Sequence, residues 1–240
     1  MRKKIIFFIV LILFLSPIPF AFTAEQPSAI ICVIEKNGTE LQGVGMSKTI
    51  ISGVLAGHGW NVIDTNAFPV TATGEDLTQY LAQRGGQKSE FKSSSLYANI
   101  TPQGEVTLRS KNIQSLDERD LKNIPWRVDL DELQSIAKSS GVRYILYGEI
   151  TTKTVPHKEV PKGFATEGFN SVIAIANLRL VDSATRSVLA TFVDQAPALQ
   201  LTVEQAQIGA VQAIGKQAGE YFAKQISSTA SQTVAPAEKK

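Results

Sequence analysis

The distribution of apolar residues divides the chain into two regular parts. The first begins with the continuous apolar run Ala29–Glu35, whose length and Ile/Val content indicate a strand covered on both faces. From Ser47 the apolar spacing changes to that of a helix (Ile50, Ile51, Val54, Leu55), which Gly57 and Gly59 end. Trp60–Asp64 then has the composition of a second strand. Residues 29–64 are therefore predicted to form a strand–helix–strand unit.

The second regular part begins at residue 128. Asp129 is placed to cap a helix, and Arg143–Ile150 has the composition of a strand. Two β-rich segments, Ser171–Asp182 and Ser187–Gln195, are separated by the short polar sequence SATR, which predicts an antiparallel hairpin. A long helix capped by Thr202 follows, with one apolar stripe (Val203, Ala210, Val211, Ile214, Ala218, Tyr221, Ile226) that needs a sheet to cover.

The segment between the two parts, residues 67–127, lacks this regularity. It contains a predicted short helix (Glu75–Gln83) and a predicted hairpin in which LYANI and EVTLRS flank a turn at Pro102 and Gly104. The rest is polar, and we interpret the whole segment as a partly mobile insertion. Deletion of residues 86–125 is accordingly expected to leave the fold intact and to abolish association with partners.

Together these elements predict an α/β fold with the order β-α-β-(insertion)-α-β-β-β-α. The two separated parts, residues 29–66 and 128–226, are expected to close over one mixed five-stranded sheet with the helices packed on it. Residues 25–226 would then form a single domain with the polar insertion at 67–127. The Ser/Thr/Ala/Pro-rich tail at 227–240 is expected to be disordered.

The N-terminus predicts export. Three cations at residues 2–4 precede the apolar run Ile5–Leu15, and small residues end this stretch at Ala24, as in a secretory signal peptide. We therefore expect residues 1–24 to be cleaved and the protein to lie in the periplasm; a retained membrane anchor is the alternative. The single cysteine, Cys32, is interpreted as a core residue, because isoleucines instead of a lipid-attachment motif precede it.

The net charge of the mature chain argues against nucleic acid as a partner. Removal of residues 1–24 takes away three of the 24 Lys and Arg residues and none of the 22 Asp and Glu residues, which leaves a nearly neutral mature chain. A chain without a basic cluster is not expected to bind nucleic acid, which requires several phosphates to be neutralised.

The glycine-containing sequence QGVGMSKT, residues 42–49, raises the question of a phosphate-binding loop. Aligned on Lys48 and Thr49, however, the two required glycine positions hold Gln42 and Ser47. We interpret the stretch as a flexible turn in which Ser47 is the helix N-cap, while weak binding of another anion stays open.

Few residues offer catalytic or metal-binding chemistry. The only histidines are His58, at a predicted helix end, and His157, in a Pro-flanked loop, and neither has a second ligand at helical spacing. Asp182 opens the SATR turn, where a structural role is sufficient to explain it. No catalytic set, metal site or cofactor site is predicted.

One family resemblance rests on the phrases YILYGEI (residues 144–150) and LRLVDSATRSVL (residues 178–189), with the preceding SSG helix stop and the final Ala-rich helix. These resemble the bacterial envelope family that includes the N-terminal domain of TolB, CsgG, LpoB and the middle part of flagellar assembly protein T. The resemblance implies a non-enzymatic domain that docks onto envelope machinery, often within a ring. It also implies a glycine in the hairpin turn, where this chain has Arg186.

Three functions follow for testing. The first is a non-enzymatic assembly or scaffold protein whose partners are envelope proteins of secretion, flagellar or peptidoglycan-synthesis machinery, with membrane contact only by association and homo-oligomerisation left open. The alternatives are a small-ligand binder using the turns near Gly43 and Gly163, and a periplasmic hydrolase. Exposed loops on a rigid sheet are where such proteins tend to make contacts, and the candidate partner-contacting residues there are Phe91, Tyr97, His157, Phe164 and Phe169.

Overall fold

The structure is a computed structural model, and it describes residues 26–83, 95–109, 116, 118–156 and 168–232. The predicted signal peptide lies outside these residues, as does the end of the predicted tail from residue 233 onward.

The described residues form ten strands and five helices. In chain order they are β1 (Ser28–Asn37), β2 (Glu40–Gly43), α1 (Met46–Gly57), β3 (Asn61–Ile63), β4 (Phe68–Ala72), α2 (Gly74–Gln83), β5 (Leu96–Ile100), β6 (Val106–Leu108), α3 (Glu118–Asn123), β7 (Arg127–Val128), α4 (Leu130–Ser139), β8 (Tyr144–Val155), β9 (Asn170–Asp182), β10 (Val188–Gln200) and α5 (Val203–Gln232).

The main sheet joins the two predicted parts of the chain. Its order is β10-β9-β8-β1-β2, and β3 pairs with the first residues of β1. Strand β1 runs parallel to β3 and β8, whereas the β8–β9, β9–β10 and β1–β2 pairs are antiparallel. The mixed sheet is therefore confirmed, with six strands instead of five because β2 turns back onto the end of β1.

The segment interpreted as a polar insertion builds a second sheet. Its four strands, in the order β6-β5-β4-β7, are all antiparallel. The predicted helix and hairpin are present as α2 and the β5–β6 pair, and their inner faces are apolar. Leu77 of α2 and Leu96, Ala98 and Ile100 of β5 are fully buried, and the inner residues of β6 are half-buried. The described part of the insertion is thus a structural layer of the protein, with a buried apolar face that its overall polar composition did not indicate.

The first core lies between the main sheet and two helices, α1 and α5. Along β9 every second residue is buried and apolar (Val172, Ala174, Ala176, Leu178, Leu180), and these side chains pack with those of α5. Two glycines of α5, Gly215 and Gly219, let α1 approach closely, since a Cβ on Gly219 would lie 2.7 Å from the Cβ of Val54. The predicted apolar stripe of the last helix is thus covered by the main sheet.

The second core lies on the other face of β1 and β8. Ile30, Cys32 and Ile34 of β1 meet Phe68 and Ile100 of the second sheet, together with α4. Because β1 contributes alternate residues to both cores, its entire central run is buried. This confirms the prediction that the first strand is covered on both faces.

The helix ends match the predicted caps. The Asp129 carboxylate accepts a hydrogen bond from the Glu132 N–H, and the Thr202 hydroxyl accepts one from the Gln205 N–H. Helix α5 continues to Gln232, so the tail predicted to be disordered from residue 227 begins as helix. Within the part of the chain described here, no helix has the length and apolar character needed to cross a membrane.

Candidate interaction surface

The helix start at QGVGMSKT already holds an anion, supplied by the protein itself. The Oε1 atom of Glu35 accepts hydrogen bonds from the backbone N–H of Ser47 at 2.6 Å and from its hydroxyl at 2.8 Å. Ser47 is therefore not the N-cap that the sequence indicated: Gly45 occupies that position, and Ser47 lies in the first turn. A carboxylate at a helix N-terminus satisfies the same N–H groups that a phosphate would use.

The glycines of this turn serve close packing. A Cβ on Gly43 would lie 2.6 Å from the backbone oxygen of Pro102, and one on Gly104 would lie 2.6 Å from that of Gln42. Both glycines also have positive φ angles, 145° and 84°. The turn is thus pressed against the β5–β6 turn of the second sheet, so it offers no open cradle for a ligand at Gly43; Gly163 lies outside the described residues.

The Lys48 side chain is likewise bound by groups of the protein itself. Its ammonium group donates to Asp64 Oδ1 and to the Thr65 backbone oxygen, and it sits 4.9 Å from the centre of the Phe68 ring. The hydrogen bond from Lys48 lowers the pKa of the Asp64 carboxyl below its usual value. Burial raises the pKa of the Cys32 thiol, and Lys48 only partly opposes this. Cys32 is thus a core residue, as predicted.

The SATR turn explains both Asp182 and Arg186. Asp182 Oδ1 accepts hydrogen bonds from the backbone N–H groups of Ala184 and Thr185, and the bond from Thr185 is the main cause of its lowered pKa. Arg186 takes a positive φ of 62°, the conformation that glycine favours. Its guanidinium compensates by binding Gln134 and Asp131 of α4.

One part of the main sheet is left uncovered. The second sheet and α4 pack over β1, β8 and Val181 of β9, whereas the outward-facing residues from Ile173 to Arg179 of β9 and from Thr191 to Pro197 of β10 have no layer above them among the described residues. Ile175 is 44% exposed and Val193 is 68% exposed, and polar Asn177, Arg179 and Thr191 lie between and beside them. We call this surface, the outward-facing side chains of β9 and β10, the open face.

A groove separates the open face from the second layer. It has a volume of about 740 Å³ and is lined on the sheet side by Tyr147, Glu149, Asn177 and Arg179, and on the other side by Pro125, Arg127, Val128 and Leu130. Lys36, Pro125 and Glu149 also line an adjoining depression of about 400 Å³ near Asp76. The groove therefore runs along the boundary where the covering layer ends.

The charges of the groove are unequally satisfied. Lys36 Nζ lies 2.6 Å from Glu149 Oε2, and Arg127 contacts Asp76 Oδ1 at 3.1 Å. No acidic residue lies directly opposite Arg179, whose partners are Tyr147 on β8 and Thr191 on β10. Glu149, its diagonal neighbour on β8, is paired with Lys36. The groove thus presents guanidinium groups that the described residues do not fully neutralise.

Two of the partner-contacting residues proposed from sequence, Tyr97 and Phe169, lie among the described residues. Tyr97 is 44% exposed on β5, and the Arg109 guanidinium carbon lies 5.5 Å from its ring centre. Phe169 is half-buried just before β9 of the main sheet, whereas Tyr97 lies in the second sheet. Phe91, His157 and Phe164 lie outside the described residues.

Sequence reasoning missed the open face, although a signal was present. In β9 one alternating set of residues is purely apolar, whereas the other set, Ile173, Ile175, Asn177 and Arg179, mixes apolar and polar side chains. A strand buried on both faces by its own chain would show no such difference.

No group of three or more His, Cys, Asp or Glu residues that could hold a metal ion occurs among the described residues. His58 caps α1 through its backbone N–H, as its position at the predicted helix end indicated.

Comparisons with known proteins give low similarity throughout. The sequence matches no protein-family model and no curated protein. Among solved structures, the chain is similar to the LpoB C-terminal domain from Salmonella enterica, with a TM-score of 0.31, 8% identity, and coverage of 70% of this chain and 81% of that one. Lipoprotein GNA1162 from Neisseria meningitidis gives a TM-score of 0.34 at 14% identity, covering 81% and 99%.

A third similar structure is the PelC dodecamer from Paraburkholderia phytofirmans, with a TM-score of 0.35, 9% identity, and coverage of 80% of this chain and 86% of that one. At these TM-scores and identities the likenesses do not assign a function to this chain.

Proposed function

We propose that this protein is a non-enzymatic, exported assembly or scaffold module of the bacterial cell envelope, which docks onto another envelope protein through its open face. The observation that carries the proposal is the unequal covering of the main sheet. One face is packed from β1 to β10, while the β9–β10 half of the other exposes Ile175 and Val193.

Exposed apolar side chains that lie close together with polar groups around them favour a docking role. On the open face, Ile175 and Val193 are interleaved with Asn177, Arg179 and Thr191. Such a mixture suits an interface that forms between folded partners, because the surface must also tolerate water before the partner arrives.

Export is supported by the sequence. The cationic start, the short apolar run and the small residues near Ala24 are typical of a secretory signal. The YILYGEI and LRLVDSATRSVL phrases support placing the partner in secretion, flagellar or peptidoglycan-synthesis machinery.

The test is to change the open face without changing the core. Ile175→Arg and Val193→Arg place charges on exposed positions, and Gln212→Arg places the same charge on the exposed side of α5 as a matched control. Each tagged variant would be expressed in the native host, and its co-purifying envelope proteins would be identified and quantified.

We expect the two open-face variants to lose a specific envelope partner that Gln212→Arg retains. Thermal unfolding would establish that all three variants are folded. Identical co-purifying proteins for all three variants would contradict docking through the open face.

A further inference from the structure

We propose that the groove beside the open face binds an extended acidic segment of the partner protein, with its carboxylates held by Arg179 and Arg127. This inference rests on the proposed docking function and specifies the chemistry of the partner.

The groove is lined by more cations than anions. Lys36, Arg127 and Arg179 line the groove together with one acidic residue, Glu149. Glu149 is already neutralised by Lys36 at 2.6 Å. Arg127 is likewise paired with Asp76 at 3.1 Å, so Arg179 is the cation of the groove that no described carboxylate pairs with, and its charge favours an anionic occupant.

Arg179 lies on β9, on the sheet side of the groove. Oppositely charged residues commonly pair across neighbouring strands, yet Arg179 lies between Tyr147 and Thr191. Its side chain is exposed, so its guanidinium is accessible to an acceptor on a partner. A guanidinium fits a carboxylate with two parallel hydrogen bonds, so Asp or Glu is the matching side chain.

Arg127 lies on the opposite wall of the groove. Its side chain is 66% exposed while it contacts Asp76 at 3.1 Å, so most of the guanidinium is still accessible. Arg127 and Arg179 thus offer donors from both sides of one groove, which fits a segment carrying more than one carboxylate.

The shape of the groove favours an extended peptide. Its floor consists of strand residues, and Pro125, Val128 and Leu130 provide apolar contacts along the wall. An extended chain points successive side chains in opposite directions, so acidic and apolar residues can alternate between the arginines and this wall. Pairing with the free edge of β10 is less suitable, because Pro197 lacks the N–H that strand addition requires.

The direct test uses a fluorescein-labelled synthetic peptide in which Glu and Val alternate, and a matched peptide in which Gln replaces every Glu. Binding to the purified protein would be measured by fluorescence anisotropy at low salt. The protein variants are Arg179→Gln and Arg127→Gln, with Lys216→Gln as the control, because Lys216 is an exposed cation on α5.

We expect the acidic peptide to bind and the Gln peptide to bind far more weakly. Each arginine substitution should raise the Kd by about tenfold, as the loss of a charge-assisted hydrogen bond implies, whereas Lys216→Gln should leave it unchanged. Added salt should weaken binding of the acidic peptide.

Equal binding of the two peptides, or an unchanged Kd for Arg179→Gln, would overturn the proposal. Displacement of the peptide by free glutarate at the same carboxylate concentration would also overturn it and would identify a site for small anions. If Val193→Arg abolishes association in the host while Arg179→Gln does not, docking stands and the acidic segment is wrong.

Discussion

The two faces of the main sheet are covered to different extents by the rest of the chain. On one face α1 and α5 cover β1, β8, β9 and β10, and the inward residues of β9 are uniformly apolar. On the other face the second sheet and α4 cover β1, β8 and Val181 at the end of β9, and they leave most of β9 and β10 open. A complete core on one side therefore fixes the fold, while the incomplete cover on the other leaves a rigid surface free for recognition.

The largest expected effect comes from two adjacent residues of β10. Phe192 is 7% exposed and packs against Tyr221 with ring centres 5.4 Å apart, whereas Val193 points to the open face. Phe192→Arg should cost more than about 4 kcal/mol, since it buries an unpaired charge, and Val193→Arg should stay within about 0.5 kcal/mol. Urea denaturation measures both; similar costs for the two would remove the distinction between the faces.

The second prediction tests whether the second layer is part of the core. Trp126 is fully buried, and its indole N–H donates to the Leu121 backbone oxygen at 2.7 Å. Trp126→Ala should lower the free energy of unfolding by about 3–5 kcal/mol, because it leaves a large cavity and an unpaired acceptor. A loss below about 1 kcal/mol, measured by the same denaturation, would mean that this layer is only loosely attached.

A third prediction concerns how the helical face closes. Gly219→Ala would place a Cβ 2.7 Å from Val54 Cβ and should destabilise the protein by about 1–3 kcal/mol through overpacking. The matched change Gly53→Ala meets nothing within 4 Å and should stabilise by about 0.5–1 kcal/mol, because alanine favours the helix. Opposite shifts in Tm are expected, and shifts of the same sign would contradict the close α1–α5 contact.

The smallest effect concerns the SATR turn. The pKa of Asp182 is lower in the folded state, chiefly through the hydrogen bond from the Thr185 N–H, so its contribution to stability is complete above the unfolded-state pKa of about 4. That contribution is lost as pH falls through the lower folded-state value. Wild type should thus be more stable than Asp182→Asn at neutral pH, and the difference should shrink below about pH 4. A difference independent of pH would exclude this carboxylate as its source.

Much of the fold follows from local pattern. The β1 run, the α1 spacing, the caps at Asp129 and Thr202 and the β9–β10 hairpin are each specified by residues close together in sequence. Their prediction was confirmed because periodicity and capping are short-range properties.

The second sheet could not be recognised in the same way. Strand β7 has only two residues, and its partner β4 lies more than 50 positions earlier in the chain. Its buried residues alternate with Thr and Asn, so the segment reads as polar overall. Because Leu96, Ala98, Ile100 and Ile124 are buried in the second core, deletion of residues 86–125 is now expected to destabilise the fold.

The groove was beyond sequence reasoning for a related reason. Its walls come from residues 125–130 and 177–179, which only the three-dimensional arrangement brings together. The alternating pattern of β9 could have indicated that the face carrying Arg179 mixes apolar and polar side chains. It could not have indicated that residues 125–130 form the opposite wall of the groove.

The most direct test of the central claim is site-specific photocrosslinking in the native host. A photoreactive residue would replace Thr191 on the open face or Gln212 on the exposed side of α5. The account predicts a covalent adduct with a defined envelope protein, identified from its cross-linked peptides, at Thr191 and not at Gln212. No adduct at Thr191, or the same adducts at both positions, would contradict it.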